Sequence, residues 1–260
     1  MRIAILGAGH MGSWIARLLA HSHEVAIFDI DTSKAEAVSG AKVLKSVKEL
    51  KTYKPEMLLN AVSLEHTIEA FRQAEPNLPK NCILCDITSV KRGLPEYYKN
   101  CGFRFVSVHP MFGPTFANLD ALREENAIVI KGSDPEGAEF FRKFFNSLGL
   151  RIFEYTFEEH DQMMAYSLTT PFVASLMFAA CMEKTAVPGS TFAKHKKLAE
   201  GLLSEDDHLL SEILFNENSI EQLDRITGRM EYLKHIIKSR DSEIMKEFLH
   251  KLRENIRSEK

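Results

Sequence analysis

Two groups of residues in this chain have the types and spacing to do chemistry. His109 follows an apolar run, Arg104 to Val108, and precedes Pro110 and a Gly113-Pro114 turn that would hold its ring rigidly. An imidazole with an ordinary pKa near ~6.5 can take a proton from a hydroxyl at neutral pH. The second group is Gly7-Ala8-Gly9-His10-Met11-Gly12, set directly after the apolar run Arg2 to Leu6. Gly7 permits a tight turn, Gly9 leaves room for a pyrophosphate against the backbone, and Gly12 lets a following helix pack closely. Free N–H groups at that helix start, around His10 and Met11, would face the phosphates, with the His10 ring serving as a spacer. Asp29 ends the next apolar run, 22 residues after Gly7, close to the ~20 expected of the acid that bonds a ribose. A carboxylate there repels a 2′-phosphate, so the pattern predicts NAD in preference to NADP.

These residues need a sheet to position them. Apolar runs at 2–6, 24–28, 57–60, 82–86, 104–108, 127–130 and 151–155, with a short run at 43–44, alternate with helical patterns. That order predicts an α/β fold with a doubly wound, mainly parallel sheet over residues 1–155. Thr32 is the expected cap of the second helix. Ligands bind beyond the carboxyl ends of such strands, where Ser63, Asp86, Ser89 and His109 stand on successive strand ends. Ser63 and Asp86 are therefore expected beside the cofactor, and Ser89 is expected to orient His109 or to touch the substrate. From 156 to 260 only helical patterns remain, giving an all-α second domain. Its segment Pro171 to Met182 is apolar nearly all round, which predicts a buried helix forming a core or a subunit interface.

The bulk numbers exclude several classes. A net charge of −3, with 27% charged and 45% hydrophobic residues, leaves no electrostatic footprint for nucleic acid or an anionic membrane. Pro171 to Met182 falls short of the ~20 residues a spanning helix needs, so no membrane role is expected. The N-terminus enters the first strand at once, which leaves no room for a signal peptide. Cys82 and Cys85 point to opposite faces of one strand, and all four cysteines are expected as reduced, small apolar residues in the cytoplasm. No histidine cluster has metal-ligand spacing. Glu158-Glu159-His160-Asp161 is an acidic helix start, and His160 is expected to be structural.

The glycine loop, Asp86-x-x-Ser89-Val90-Lys91, His109-Pro110-Met111-Phe112-Gly113-Pro114 and Glu159-His160-Asp161 together resemble the prephenate/arogenate dehydrogenases of tyrosine biosynthesis. The resemblance implies a Rossmann domain followed by a helical dimerisation domain, hence a homodimer, and sometimes fusion or association with chorismate mutase. It implies oxidative decarboxylation of prephenate, or of arogenate with its amino group, by hydride transfer to NAD. His109 would polarise or deprotonate the ring 4-hydroxyl, and Ser89 would hydrogen-bond in the same site.

Two departures stand out. Many bacterial members carry Ser-His-x-Pro-His on the long helix, where this chain has Leu168-Thr169-Thr170-Pro171-Phe172. The family's substrate-binding Arg aligns with Gly201. The substrate has two carboxylates, so another cation is expected to serve them. Lys194, His195 and Lys197 are the nearest candidates, followed by Arg225 and Arg229. Two other readings are a two-domain dehydrogenase acting on a β-hydroxyacid or imine, with catalysis from Lys184 or the Lys194–Lys197 cluster, and a non-catalytic NADH sensor.

Overall fold

The computed structural model describes residues 1–112, 122–183 and 189–257. The Gly113-Pro114 turn, Lys184, Pro188 and the charged end at 258–260 lie outside the described residues. The chain divides into two compact units, Met1–Asp161 and Gln162–Lys260.

In the first unit β1 (Arg2–Leu6), α1 (His10–Leu19), β2 (Glu24–Phe28), α2 (Thr32–Glu36) and β3 (Lys42–Val43) form one half of the winding. The other half runs α3 (Leu50–Tyr53), β4 (Met57–Asn60), α4 (Thr67–Ala74), β5 (Ile83–Asp86), α5 (Leu94–Asn100) and β6 (Arg104–Pro110). Then come β7 (Asn126–Ile130), α6 (Pro135–Ser147) and β8 (Arg151–Tyr155). The strand order is β3-β2-β1-β4-β5-β6-β7-β8. Only β6 and β7 pair antiparallel; every other neighbour is parallel.

The buried strand residues divide by alternation. Ile3, Ile5, Met57, Leu59, Cys85 and Val106 meet Ile15, Ala16, Phe141 and Phe145 of α1 and α6 on one face. Ala4, Leu6, Leu58, Cys82 and Leu84 meet Phe71, Ala74, Tyr97 and Tyr98 of α4 and α5 on the other. Cys82 and Cys85 thus serve opposite faces, as a period of two requires. The cap of α2 differs from expectation. Asp31, not Thr32, is the capping residue, its carboxylate accepting from the Ser33 N–H at 3.1 Å. A carboxylate one residue earlier reaches the free N–H groups of the first turn.

A capping box opens α7 (Phe157–Met164). The Glu159 N–H donates to Thr156 Oγ1 at 3.1 Å, and the Thr156 N–H donates to Glu159 Oε2 at 2.7 Å. Phe157 stacks beside Tyr98 and Phe105. The helix start is therefore fixed over the β6 face, with His160 in its first turn.

The second unit holds the rest of this helix, α8 (Thr170–Ala180), α9 (Ser190–Leu202), α10 (Asp207–Leu214), α11 (Ser219–Ser239) and α12 (Ser242–Arg257), with no strand among the described residues. Between α7 and α8 the backbone widens into a π turn, Ala165–Thr169. Pro171 accounts for it, since proline offers no N–H to the preceding turn and crowds its carbonyls. The buried Thr169 and Ser219 hydroxyls bond at 2.8 Å, tying that turn to α11.

The buried helix expected from the sequence is not buried within the chain. None of the residues of α8 is buried. Within the continuous helix Phe157–Ala180 an 18-residue stretch has a mean hydropathy of 1.4 with 17% of it buried, and by length and composition the helix could cross a membrane. The expectation of a segment too short to span counted only the uninterrupted apolar residues; the helix itself begins fourteen residues earlier.

Candidate active site

Parallel register places Leu6, Asn60, Asp86 and Ser107 on one line across β1, β4, β5 and β6. Gly7, Ala61, Ile87 and Val108 come next along their chains, so they share the carboxyl edge of the sheet, and His109 lies one residue beyond. Open α/β sheets bind their ligands there. His109 itself is still in β6, paired with Ile128 of the antiparallel β7.

The glycine loop satisfies each demand read from its spacing. Gly7 has φ +94°, and a Cβ there would lie 2.7 Å from the Ala61 carbonyl oxygen. A Cβ on Gly12 would meet the Gly7 carbonyl oxygen at 2.0 Å. A Cβ on Gly9 would meet nothing within 4 Å, so the space over that backbone is open to a ligand. Asp29 is tied to this loop: its Oδ2 accepts from the Ala8 N–H at 2.6 Å and its Oδ1 from the Asp31 N–H at 2.8 Å. Each oxygen keeps acceptor capacity for a ribose hydroxyl. Gly7, Gly9, Asp29, Lys34 and Ser63 line a cavity of about 400 Å³, together with Ile30, Val47, Ala70 and Gln73. His10 is exposed beside a second hollow with Gly9, Ser13, Trp14, Arg17 and Lys34. Met11 packs its side chain against the core, so only its backbone can serve a phosphate. Trp14 meets Phe112 edge to face at 5.5 Å, joining the glycine-loop helix to the segment after His109.

Asp86 corrects the sequence reading. It is fully buried and cannot line the cofactor cleft. Its Oδ1 accepts from Lys91 Nζ at 2.5 Å and from the Thr88 hydroxyl at 2.9 Å, and its Oδ2 accepts from the Tyr98 hydroxyl at 2.7 Å. Lys91, also fully buried, donates to the Val108 carbonyl at 2.8 Å. Burial pulls the Lys91 amine below its ordinary value while the Asp86 carboxylate opposes that shift. Burial, reinforced by the same carboxylate, pushes the Tyr98 phenol well above its own.

The ammonium therefore sits on the carbonyl of the residue before His109. His109 is 6% exposed, and its Nδ1 lies 3.0 Å from His160 Nε2. His160 is fully buried, and its Nδ1 lies 2.9 Å from Asp161 Oδ1. Burial is the largest cause lowering both imidazoles; the neighbouring His160 and then Lys91 add to it at His109. At His160 the Asp161 hydrogen bond opposes the shift and Lys91 adds to it. Both rings are thereby held neutral. Such a site can accept a proton from a hydroxyl through His109 Nε2, which has no partner among the described residues.

Two expectations about this site change. The ring partner of His109 is His160, not Ser89, which stands half-buried with no hydrogen bond among the described residues. His160 was expected to be structural, but its place in the first turn of a capped helix brings its ring onto His109. The Thr156-x-x-Glu159 spacing was the available signal, because a capping box fixes the register of the helix it opens. Lys194, His195 and Lys197 are exposed on α9 of the second unit, with His195 Nδ1 3.0 Å from its own helix's Thr191 carbonyl. Arg225 and Arg229 are exposed on α11.

A family model described as the prephenate dehydrogenase nucleotide-binding domain matches residues 15–141. Those residues are similar to the nucleotide-binding domain of prephenate dehydrogenases. The "probable arogenate/prephenate dehydrogenase" of Methanocaldococcus jannaschii is 24% identical over 95% of this chain and 60% of its own length. The Haemophilus influenzae T-protein is 27% identical over 64% of this chain and 41% of its own length. The chain thus spans under two thirds of these relatives. A solved structure of prephenate dehydrogenase from A. aeolicus, in complex with hydroxyphenyl propionate and NAD+, superposes with a TM-score of 0.84 at 17% identity, covering 99% of this chain and 98% of that one. The likeness bears out the α/β fold with its helical C-terminal part.

Two outcomes test this geometry. Gly9→Ala should leave the urea midpoint unchanged and weaken dinucleotide binding, whereas Gly12→Ala should lower the midpoint because its Cβ has nowhere to go. Lys91→Met strands the Asp86 carboxylate in the interior and should cost about 3–5 kcal/mol in urea unfolding, as removal of one partner of a buried pair does.

Proposed function

We propose that this chain is an NAD-dependent prephenate or arogenate dehydrogenase, acting in tyrosine biosynthesis in the cytoplasm. The observation that carries the reading is His109, a buried neutral imidazole at the carboxyl edge of the sheet, within three residues of a ring that touches the glycine-loop helix. The nucleotide-binding match over residues 15–141 and the likeness to an NAD+-bound prephenate dehydrogenase support it.

When bound, NAD would accept the hydride from the ring carbon that bears the 4-hydroxyl. The open backbone over Gly9 suits its pyrophosphate, and the cavity at Asp29 and Ser63 suits its adenosine half. Asp29 would take the ribose hydroxyls and repel a 2′-phosphate. His109 Nε2 would take the 4-hydroxyl proton as the hydride departs; carbon dioxide leaves the quaternary carbon, the ring becomes aromatic, and the imidazolium returns the proton to the phenolate oxygen. The product is 4-hydroxyphenylpyruvate from prephenate or tyrosine from arogenate. Ser89 would bond the same substrate. The substrate carboxylates call for a cation, and Lys194, His195 and Lys197 are the first candidates. The open face of α8 is covered in this reading by a second copy of the chain, making a homodimer; association with chorismate mutase belongs to the same proposal.

NAD reduction with prephenate and arogenate offered separately tests this function and names the substrate. His109→Asn should reduce kcat by about 100-fold or more, the contribution of a general base, and leave NAD affinity nearly intact. Equal loss of both would make His109 structural. Since the neutral ring is the active form and its pKa lies well below 6.5, kcat/KM should hold as pH falls to 6.5 and decline only below it. A decline centred above 6.5 would count against His109 as the base.

A further inference from the structure

A base must present a lone pair to its substrate, and a neutral imidazole has one on only one of its two nitrogens. Nothing in the His109 ring itself decides which. The decision is made two groups away. Asp161 is a carboxylate whose side chain is 34% exposed, and its Oδ1 lies 2.9 Å from His160 Nδ1. A carboxylate only accepts hydrogen bonds, so His160 must carry its proton on Nδ1 and leave Nε2 as an acceptor. That Nε2 lies 3.0 Å from His109 Nδ1. Two acceptors cannot bond, so His109 must carry its proton on Nδ1. Its lone pair is then on Nε2, the nitrogen with no partner among the described residues.

We infer that Asp161 is the positioning residue of this site, fixing through His160 the tautomer in which His109 can act as a base. The inference rests on the proposed role of His109, but the tautomer it requires exists whatever the substrate. It also assigns the buried His160 a purpose: an apolar side chain there would leave His109 free to adopt either form. When His109 Nε2 takes the substrate proton, both existing bonds stay in place. The new charge on His109 faces the lone pair of His160, whose own proton is held by the Asp161 carboxylate. Among the described residues the charged groups that act on the pair are Lys91 and Asp86, from the end of β5 and the turn after it, and Asp161 from α7. Lys91 opposes the added charge and Asp161 favours it.

Histidine 15N–1H correlation spectra of the full chain at neutral pH test the inference without substrate. The wild-type protein should show both His109 and His160 carrying the proton on Nδ1, the less common form for free histidine. In Asp161→Ala the His109 signal should become a mixture containing the Nε2–H form. An Nε2–H ring at His109 in the wild type, or an unchanged spectrum in the variant, would overturn the inference. Turnover adds a second arm with whichever of prephenate or arogenate is active: Asp161→Ala should lower kcat about 10-fold or more with KM little changed, because a fraction of molecules holds the wrong tautomer. Unchanged kcat beside a changed spectrum would also overturn the positioning role. A wild-type chain inert to both substrates would sink the proposed function alone, and the spectra would still decide this inference.

Discussion

The ion pair between Asp86 and Lys91 is the interaction on which the rest of this site depends. Both side chains are wholly buried, and taking two charges out of water costs several kcal/mol for each unless every polar atom finds a partner. Here the partners are found. The Thr88 and Tyr98 hydroxyls complete the carboxylate, and the Val108 carbonyl takes the ammonium's second bond. The network joins the end of β5, the turn after it, α5 and the end of β6. These are the pieces that must hold still if the residue after Val108 is to meet a ligand at the sheet edge.

The pair has an electrostatic consequence as well as a structural one. A positive group close to two buried imidazoles discourages either from becoming cationic. His109 and His160 are both lowered chiefly by burial, with Lys91 adding to each. A base near the end of its strand thereby stays unprotonated through the range in which a free histidine would titrate. The stability of the fold is linked to the same fact. A histidine with a depressed folded pKa adds no penalty above the unfolded value of about 6.5 and destabilises the fold as pH falls below it.

Much of the fold was legible because its signals are local. Gly7, Gly9 and Gly12 each answer a steric demand that spacing alone reveals, and Glu24–Phe28 and Arg151–Tyr155 match their apolar runs residue for residue. His109 was singled out from its place after an apolar run, although the strand itself continues through it to Pro110. Asp86 was misread because a carboxylate at a strand end looks the same whether it faces a cleft or an ammonium. The Lys91 that claims it lies five residues on, across an irregular turn with no periodicity to guide the eye. The contact of His160 with His109 was not legible because the two lie 51 residues apart, and pairing across such a gap is set by how α7 crosses β6. The exposure of α8 was hidden for another reason. Hydrophobicity says that a helix must be covered, not whether its own chain supplies the cover.

Burial, with the His160 contact and then Lys91 adding to it, holds His109 neutral, and everything proposed for this site depends on that. The most direct test is an NMR titration of the histidine side chains in the free protein. His109 should stay neutral as pH falls to 6.5 and titrate, if the fold survives, well below that value. A His109 midpoint at or above 6.5 would contradict the whole arrangement.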